Sequence, residues 1–450
     1  MARVLLYSEV GADLPSLPIE RRKALENQLC QVVKCRLKEV GIMKKVVITS
    51  AARTGVGAFM GSLKTVPVED LATVATKAAI ERSKLDPLEI DSVIMGHVEG
   101  SMDVNNMGRI TALKAGCMNA HGMQVARICG SGFQAIVSGW HEILTGASDI
   151  VVAGGAESLS RAPYYLPLSV RYEGFGSNGK KLLCSNEQAH MNAAPKEMYP
   201  QVWMAITAEN VAEQYNIPRE DSDRFAYETQ MKNKVAVEKG RFEREIVPVE
   251  IKSRKSSTFF EKDEFAKPDT TLEGLAKLKP AFKKDGIVTA GTATGLNDGG
   301  AALVLMSEEN AEKRGLEPMV YIVDYAIGVC DPMVMGLGPA YGIPKLLKKV
   351  GLDMTDIDLY EINEAFACQV LGCLRLMDVY PWQGNEKSEI MYPKLNPNGS
   401  GLAMGHPLGM TGARITMTAC YEMIEKNYKK AIVTACIGGG MGLTILLERP

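Results

Sequence analysis

The sequence predicts an α/β fold built from two similar halves. Three landmarks occur twice, in the same order, along the 450-residue chain. They are an LD…ID segment before an apolar run, a glycine turn between a strand-like and a helix-like run, and an apolar strand that ends in paired glycines. Repetition of this kind indicates a duplicated α/β unit. The halves are predicted near residues 44–160 and 318–450.

The individual segments support a duplicated α/β unit. The apolar strands KKVVIT and DIVVA are almost continuously apolar after their first residues, which is typical of strands covered on both faces. The first copies are LDPLEIDSVIM (85–95), CGSG (129–132) and DIVVAGG (149–155), and the second copies are LDMTDIDLYEI (352–362), NGSG (398–401) and KAIVTACIGG (430–439).

Residues 1–42 are predicted to form an extension outside the core. Apolar residues recur at helical spacing over 18–40, which predicts an amphipathic helix. Met43 is followed at once by the first predicted strand. The extension is therefore expected to be dispensable, or to come from an upstream start codon chosen in error.

A polar segment over about 161–290 is predicted to be an insertion from the first half, which then spans 43–317. It is richer in charged residues than the halves, and helices are expected over 207–216 and 221–240. Such a segment is usually solvated surface. Its basic run at 252–257 could instead hold phosphates.

Composition excludes several classes of function. A net charge of −2 argues against a general nucleic-acid binder, and no apolar run approaches the roughly 18 residues of a membrane span. The ten cysteines are scattered without a CxxC pair, so no metal site is predicted. Without a recognisable secretory signal, we expect reduced thiols and a cytoplasmic location.

The duplicated turns carry different chemical groups. Cys129 lies in the first turn, where the positive end of a helix dipole would favour a thiolate. Asn398 occupies the matching point of the second turn, and His406 follows closely enough to accept a thiol proton. A second thiol, Cys436, lies in another glycine-rich loop. A lone cysteine is most often a small buried hydrophobe, which is our interpretation of the three other core cysteines, Cys117, Cys373 and Cys420.

Four longer blocks contain these turns and thiols. They are ICGSGFQA (128–135), NEAFA (363–367), NPNGSGLAMGHPLGMTGAR (396–414) and CIGGGMG (436–442). These blocks resemble the signature blocks of the thiolases. The resemblance covers about 44–450 and implies the thiolase fold, a layered α-β-α-β-α core with a loop-domain insertion.

The resemblance implies a role for each residue of the site. Cys129 would carry the acyl group as a thioester, and His406 would activate it and help form an oxyanion hole. Asn363 would hold a water that completes this hole, and Cys436 would move a proton on the α-carbon of acetyl-CoA. The backbone N–H groups of Cys129 and Gly438 would form a second hole. Coenzyme A thioesters are then the substrates, and no cofactor or metal is implied.

The resemblance also implies a coenzyme A cradle. Thr294 would bond the pantetheine arm, and Ala290 and Phe282 would line its tunnel. One departure concerns substrate choice, since Trp203 replaces a histidine common in acetoacetyl-CoA thiolases and would narrow the pocket if it pointed inward. The remaining predicted contacts are Arg254 and Lys255 at the nucleotide phosphates, and Met335 and Met204 at the acyl end.

The expected activity is that of an acetyl-CoA C-acetyltransferase, with acetyl-CoA, acetoacetyl-CoA and coenzyme A as its partners. The alternatives are a thiolase for longer 3-ketoacyl-CoA substrates, a decarboxylating ketoacyl synthase and a non-catalytic protein that binds coenzyme A or lipid. By resemblance a homodimer or homotetramer is expected, with no nucleic-acid or membrane partner.

Overall fold

Outside the insertion, the strands of both halves hydrogen-bond into one large sheet. The structure is a computed structural model and describes residues 44–100, 103–200, 202–252, 256–382 and 384–450. The predicted extension 1–42 and its helix lie outside the described residues. The strands are β1 (Val46–Arg53), β2 (Gly57–Ala58), β3 (Ser92–Gly96), β4 (His121–Val125), β5 (Ile150–Ser158), β6 (Tyr164–Tyr165), β7 (Leu183–Cys184), β8 (Val249–Lys252), β9 (Ser257–Phe260), β10 (Asn297–Ser307), β11 (Val320–Val329), β12 (Leu359–Ile362), β13 (Lys430–Ile437) and β14 (Met441–Glu448).

Helices precede or follow most of these strands, and several short ones occur in the insertion. Five 3₁₀ turns occur in the described ranges, at Pro87–Glu89, Leu159–Arg161, Pro332–Leu337, Met354–Asp356 and Tyr392–Lys394. The α-helices are α1 (Val68–Arg82), α2 (Met107–Ala115), α3 (Ser131–Thr145), α4 (Val170–Glu173), α5 (Ser185–Met191), α6 (Met204–Gln214), α7 (Arg219–Glu238), α8 (Leu272–Ala276), α9 (Glu308–Lys313), α10 (Gly338–Val350), α11 (Ala367–Leu376), α12 (Glu386–Met391), α13 (Gly401–Met404) and α14 (Leu408–Lys426).

The sheet shows the duplication directly. Its order is β12-β13-β14-β11-β1-β10-β5-β3-β4, and β2 pairs with β10. The halves meet where β1 pairs antiparallel with β11 at three positions, Val46–Ile48 against Val320–Ile322. Outward from this junction, β10, β5 and β3 in the first half match β14, β13 and β12 in the second.

Two helices lie at the centre of the layered core. Helices α3 and α14 pack against each other and against strands of both halves, in one shared apolar core. Helices α1 and α2 cover the other face of the first half, and α10 and α11 cover the other face of the second. The layers are, in order, α1 and α2, the strands of the first half, α3 and α14, the strands of the second half, and α10 and α11. This α-β-α-β-α order confirms the predicted fold class.

A local hydrogen-bond motif explains the repeated LD…ID segment. In each copy the aspartate caps a 3₁₀ turn, and an acidic side chain three residues later bonds back to the cap. The pairs are Asp86 with Glu89 and Asp353 with Asp356. Each turn is followed by a strand, β3 or β12. The motif is a capping box, which fixes how the chain enters the strand.

The second glycine turn differs from the first. Cys129 lies two residues before α3, whereas Asn398 is followed by the short helix α13 and only then by α14. The residue two positions before α14 is His406. By position relative to the central helix, His406 therefore matches Cys129 more closely than Asn398 does.

The insertion leaves the sheet at the end of β5 and returns at the start of β10, where Ser158 pairs with Asp298. Its helices α6 and α7 begin two or three residues before the predicted starts at 207 and 221. Arg53 of β1 forms buried ion pairs with Glu245 at 2.8 Å and Asp263 at 2.7 Å. Within the described ranges, no helix is both long and apolar enough to span a lipid bilayer.

Candidate active site

Cys129 lies in a tight turn between β4 and α3. Ile128 has a positive φ of 47°, and the Ser131 hydroxyl donates to the Ile128 carbonyl at 2.7 Å and accepts from the Arg127 N–H at 2.8 Å. These bonds hold the turn that presents the thiol. The thiol packs with Leu408 at the start of α14, two residues after His406. The turn therefore places Cys129 where the two central helices begin.

The electrostatic environment of Cys129 differs from the sequence expectation. Burial raises the pKa of its thiol to about 11, although the backbone N–H groups of Gly438 and Cys129 bond the sulfur and oppose this shift. Desolvation disfavours the charged form more than the nearby donors favour it. The helix dipole alone does not produce a thiolate near neutral pH, so a base is needed.

His406 is buried, and the Thr411 hydroxyl helps to fix its imidazole. Its Nδ1 lies 2.6 Å from the Thr411 hydroxyl, which donates to the Pro407 carbonyl at 2.8 Å. Because that hydroxyl has a single hydrogen, it accepts from Nδ1–H. The neutral ring then carries its proton on Nδ1, and Nε2 is the basic nitrogen.

Asn297 fixes the backbone beside the imidazole. Its Oδ1 accepts from the His406 N–H at 2.9 Å, and its Nδ2 donates to the Gly57 carbonyl at 3.0 Å. Sequence reasoning missed Asn297 and Thr411. Thr411 lies within the GHPLGMTGAR block, in the first turn of α14, and its place in this block was a usable signal. Asn297 lies in the distant strand β10, within a segment (288–299) that also resembles the thiolases, but no spacing pattern links it to His406.

Asn363 and Glu364 follow β12 and contact the loop that carries His406. Asn363 is fully buried, and its side-chain amide makes no hydrogen bond to any described residue. A Cβ atom at Gly401 would lie 2.7 Å from its Oδ1, so the side chain lies directly against this loop. Glu364 accepts from the Ser400 N–H at 3.1 Å and from Asn396 Nδ2 at 2.7 Å. Glu364 thus organises the loop, a role that sequence reasoning did not assign.

Cys436 is the last but one residue of β13 and is completely buried. Burial raises the pKa of its thiol well above the ordinary value, and neighbouring thiols, Cys129 first among them, add to the shift. The loop that follows needs glycine because Gly439 and Gly440 have φ values of 85° and 86°. The structure therefore brings both predicted thiols and the Gly438 N–H together.

The space around Gly438 is enclosed by apolar atoms. A Cβ atom at this position would lie 3.2 Å from Ile128 Cδ1, 3.3 Å from Ala193 Cβ and 3.3 Å from Met204 Sδ. Met335 is 2% exposed and belongs to the same core cluster as Met204. Ala193 was not singled out from the sequence, since its segment 192–202 has no regular periodicity.

Trp203 does not point into this enclosed space. Its side chain is 41% exposed and packs edge-on against Phe282, with ring centroids 5.6 Å apart. Trp203 would narrow the acyl pocket only if its side chain pointed inward, and it stacks on Phe282 at the surface instead. The predicted crowding by Trp203 is therefore wrong, and Met204 and Met335 are left as the candidates.

Ala290 and Thr294, both predicted to contact coenzyme A, have different surroundings in the structure. Ala290 lines an open cavity of about 310 Å³ together with Leu275, Leu278 and Leu402. The Thr294 hydroxyl donates to the Gly401 carbonyl at 2.8 Å, so its oxygen keeps only acceptor capacity. Arg254 and Lys255 lie outside the described residues. Among the described side chains, no group of three or more potential ligands is arranged around a metal position.

Family models match nearly the whole described chain. "Thiolase, N-terminal domain" covers residues 46–309, and "Thiolase, C-terminal domain" covers residues 316–449. The two models correspond to the two halves of the sheet, with the insertion in the first.

Curated relatives and solved structures agree with these models. An acetyl-CoA acetyltransferase of Chromobacterium violaceum is 40% identical over 90% of this chain and 100% of its own length. The human mitochondrial 3-ketoacyl-CoA thiolase is 39% identical over 91% of this chain and 99% of its own length. The crystal structure of the Bacillus anthracis acetyl-CoA acetyltransferase superposes with a TM-score of 0.84 at 42% identity, over 90% of this chain and 99% of that one. On this fold, these two matched halves and these relatives, the chain belongs to the thiolase family of acyltransferases.

Proposed function

We propose that this protein is an acetyl-CoA C-acetyltransferase that interconverts two molecules of acetyl-CoA with acetoacetyl-CoA and coenzyme A. One observation carries the proposal: two buried thiols, Cys129 and Cys436, are close neighbours, and the Gly438 N–H bonds the Cys129 sulfur. Claisen condensation needs one group that carries the acyl unit and one that removes an α-proton. Relatives named acetyl-CoA acetyltransferase support this choice.

In the first step, His406 Nε2 removes the proton from the Cys129 thiol, and the thiolate attacks the carbonyl carbon of acetyl-CoA. The bond to the sulfur of coenzyme A breaks, and the departing thiolate takes the proton from His406. The raised pKa of the Cys129 thiol makes this base necessary. The amide of Asn363, which makes no hydrogen bond to the residues that the structure describes, would position a water beside the oxyanion.

In the second step, His406, neutral again after acylation, takes the thiol proton of Cys436, and the resulting thiolate removes an α-proton from a second acetyl-CoA. The enolate attacks the carbonyl carbon of acetyl-Cys129, and as the carbon–carbon bond forms the Cys129 thiolate leaves and takes the proton from His406. The N–H groups of Cys129 and Gly438 would stabilise the developing oxyanion. Side chains move every proton, so we propose that no cofactor is required.

The same site would run in reverse as thiolysis. Metabolite concentrations would then decide the direction.

Labelling of the nucleophile tests this assignment. Incubation with acetyl-CoA should add one acetyl mass to the peptide that contains Cys129, and Cys129→Ala should abolish both label and turnover. Cys436→Ser should still become labelled but turn over very slowly, because acylation needs no α-proton transfer. Label on Cys436 in the wild-type protein would reverse the two roles.

The preference for a short acyl chain is the finer part of the proposal. Ala193 and Met204 close the space at Gly438, and Met335 is buried in the core cluster against which Met204 packs. A methylene group that fits contributes about 0.8 kcal/mol, whereas one that clashes costs more than it gains. We expect thiolysis of acetoacetyl-CoA to exceed that of substrates with six or more acyl carbons.

A comparison of variants tests the chain-length argument. Met335→Ala should extend activity to longer substrates, whereas Trp203→Ala, on the exposed side of Phe282, should leave the chain-length profile unchanged. If the wild-type protein cleaves 3-ketodecanoyl-CoA as efficiently as acetoacetyl-CoA, the protein is instead a 3-ketoacyl-CoA thiolase of broad range. Relatives with that name are equally similar in sequence.

We further propose a homodimer or homotetramer in the cytoplasm. Strand β4 is the last strand of the sheet and pairs on one side only, with β3. Met123 in this strand is 37% exposed. An unpaired edge of this kind fits pairing with a second copy, and light scattering of the purified protein gives the number of subunits.

A further inference from the structure

A buried carboxylate from the first half caps the helix that follows His406. Helix α14 belongs to the second half and begins at Leu408, and the first N–H groups of a helix lack partners within it. Pro407, which precedes the helix, has no side-chain atom that could accept a hydrogen bond. The Gly409 N–H instead donates to Glu157 Oε2 at 2.9 Å. The acceptor for this helix end is therefore supplied by β5.

The chain that follows β3 fixes the same carboxylate from another side. The Val98 N–H donates to Glu157 Oε2 and the Glu99 N–H to Oε1, each at 3.1 Å. His97 Nδ1 lies 2.8 Å from Glu157 Oε1 and 3.1 Å from the Ala156 carbonyl, which only accepts, so this nitrogen carries a hydrogen. Every hydrogen bond that the structure describes for the Glu157 side chain is one that it accepts, which suits an ionised carboxylate.

The anchored helix turn carries the candidate base and its partner. Gly409 comes three residues after His406 and two before Thr411, whose hydroxyl lies 2.6 Å from the His406 imidazole. The turn packs closely on the strands, since a Cβ atom at Gly409 would lie 2.8 Å from the Ala156 carbonyl oxygen and 3.0 Å from Glu157 Oε2. A change in the anchor would therefore shift the backbone that presents the imidazole.

The charge of Glu157 has the opposite effect on the nucleophile. Burial raises the pKa of the Cys129 thiol, and the negative charge of Glu157 adds to this rise. Removal of the charge would by this effect alone favour the thiolate. Slower reaction of Cys129 after removal of the charge would therefore have to come from a misplaced base.

We propose that Glu157, held by His97, is a positioning residue that directs His406 toward Cys129 across the boundary between the two halves. The inference rests on the roles proposed above for Cys129 and His406. Glu157 acts through the backbone of α14, where a negative charge at the helix N-terminus is also stabilising.

Alkylation of Cys129 by iodoacetamide at pH 7 tests the proposal in the full chain without requiring turnover. When His406 is present, Glu157→Gln should slow alkylation on the order of tenfold, because a charge-assisted hydrogen bond to α14 is lost. In the His406→Asn background the same substitution should not slow alkylation, because no base remains to be misplaced. Equal slowing in both backgrounds, or no slowing in either, would overturn the positioning role.

The same experiment separates this role from the proposed base. The wild-type protein should be alkylated faster than His406→Asn. Equal rates in these two proteins would overturn the assignment of His406 as the base, and with it this inference, whatever Glu157→Gln does.

Variants of His97 supply a second measurement that leaves the carboxylate in place. His97→Leu removes the Nδ1–H donor and should slow alkylation about threefold when His406 is present. His97→Asn can place an amide N–H at the same point and should keep the rate near that of the wild type. The control is Glu99→Gln, a buried carboxylate that lines the same small cavity as His97 and should leave the rate unchanged. Equal rates in the two His97 variants, or equal slowing by Glu99→Gln and Glu157→Gln, would contradict the proposal, and thermal melting of each variant checks that it is folded.

Discussion

At the scale of residues, burial keeps the two thiols of the candidate site protonated. Both thiols are buried, and desolvation holds the pKa of each above its ordinary value. A neutral thiol is a poor nucleophile, because the thiolate is the reactive form. The Thr411 hydroxyl accepts from the Nδ1–H of His406, which makes Nε2 of this imidazole the candidate base for the Cys129 thiol.

The first prediction concerns the pH dependence of Cys129. In His406→Asn, the rate of alkylation of Cys129 by iodoacetamide should rise about tenfold per pH unit between about pH 7 and pH 10. The thiolate fraction grows with pH until the pKa is reached, and that pKa is about 11. Peptide mass spectrometry after timed quenching measures the rate at Cys129. A plateau near pH 8 would contradict the raised pKa.

The second prediction concerns Thr411. Thr411→Val removes the acceptor of Nδ1–H while keeping the side-chain volume, and should lower kcat/KM about tenfold. This corresponds to the roughly 1.5 kcal/mol lost with one buried hydrogen bond. Thr411→Ser keeps the hydroxyl and should restore most of the activity. Steady-state assays of both variants, with their pH profiles, check the result. Equal activity in Val and Ser variants would show that the hydroxyl does not hold the imidazole.

At the scale of elements, buried charges attach the insertion to the sheet. The Arg53 side chain is fully buried in β1 and pairs with Glu245 and Asp263, both of which come from the insertion. Burial lowers the pKa of Arg53, but Asp263 and Glu245 outweigh this and raise it, so the guanidinium stays charged. The loop domain is thus held by a charge network as well as by apolar contacts.

The third prediction tests this attachment. Arg53→Met should lower the free energy of unfolding by about 3–5 kcal/mol, because the buried Asp263 carboxylate loses its ion-pair partner and Glu245 keeps only its pair with Arg241. Urea denaturation followed by circular dichroism measures the change. The control is Lys313→Met, which breaks the exposed pair with Glu309 and should leave stability nearly unchanged. Similar midpoints for the two variants would argue against the network.

The elements that sequence reasoning located are those with local signals. The LD…ID repeat was visible because its capping box lies within four residues. The contact between Asn297 and His406 joins residues 109 positions apart, and no sequence pattern marks such a pair. The orientation of Trp203 depended on Phe282, a residue on another segment, so its identity alone could not settle which way it points.

At the scale of the whole molecule, the two halves supply complementary chemistry. The first half supplies Cys129, and the second supplies Asn363, His406 and Cys436. The halves meet at β1 and β11, and the central helices α3 and α14 begin next to each other at the thiol. A single copy would therefore contain only part of the candidate site, which gives a physical reason for the duplication.

The fourth prediction concerns the chain before the first strand. Removal of residues 1–42 should leave acetyl transfer and melting temperature nearly unchanged, because β1 begins at Val46 and the family model also begins there. Differential scanning calorimetry and steady-state assays compare the two proteins. A large loss in either quantity would show that the extension contributes to the folded core.

The pairing of Ser158 with Asp298 has an evolutionary consequence. The insertion leaves and re-enters the sheet at neighbouring positions, so a change in its length need not alter the register of any core strand. Mutations that remodel this segment could accumulate while the halves keep their pairing and their thiols. Descendants of one ancestral enzyme could in this way acquire new substrates without rebuilding the catalytic machinery.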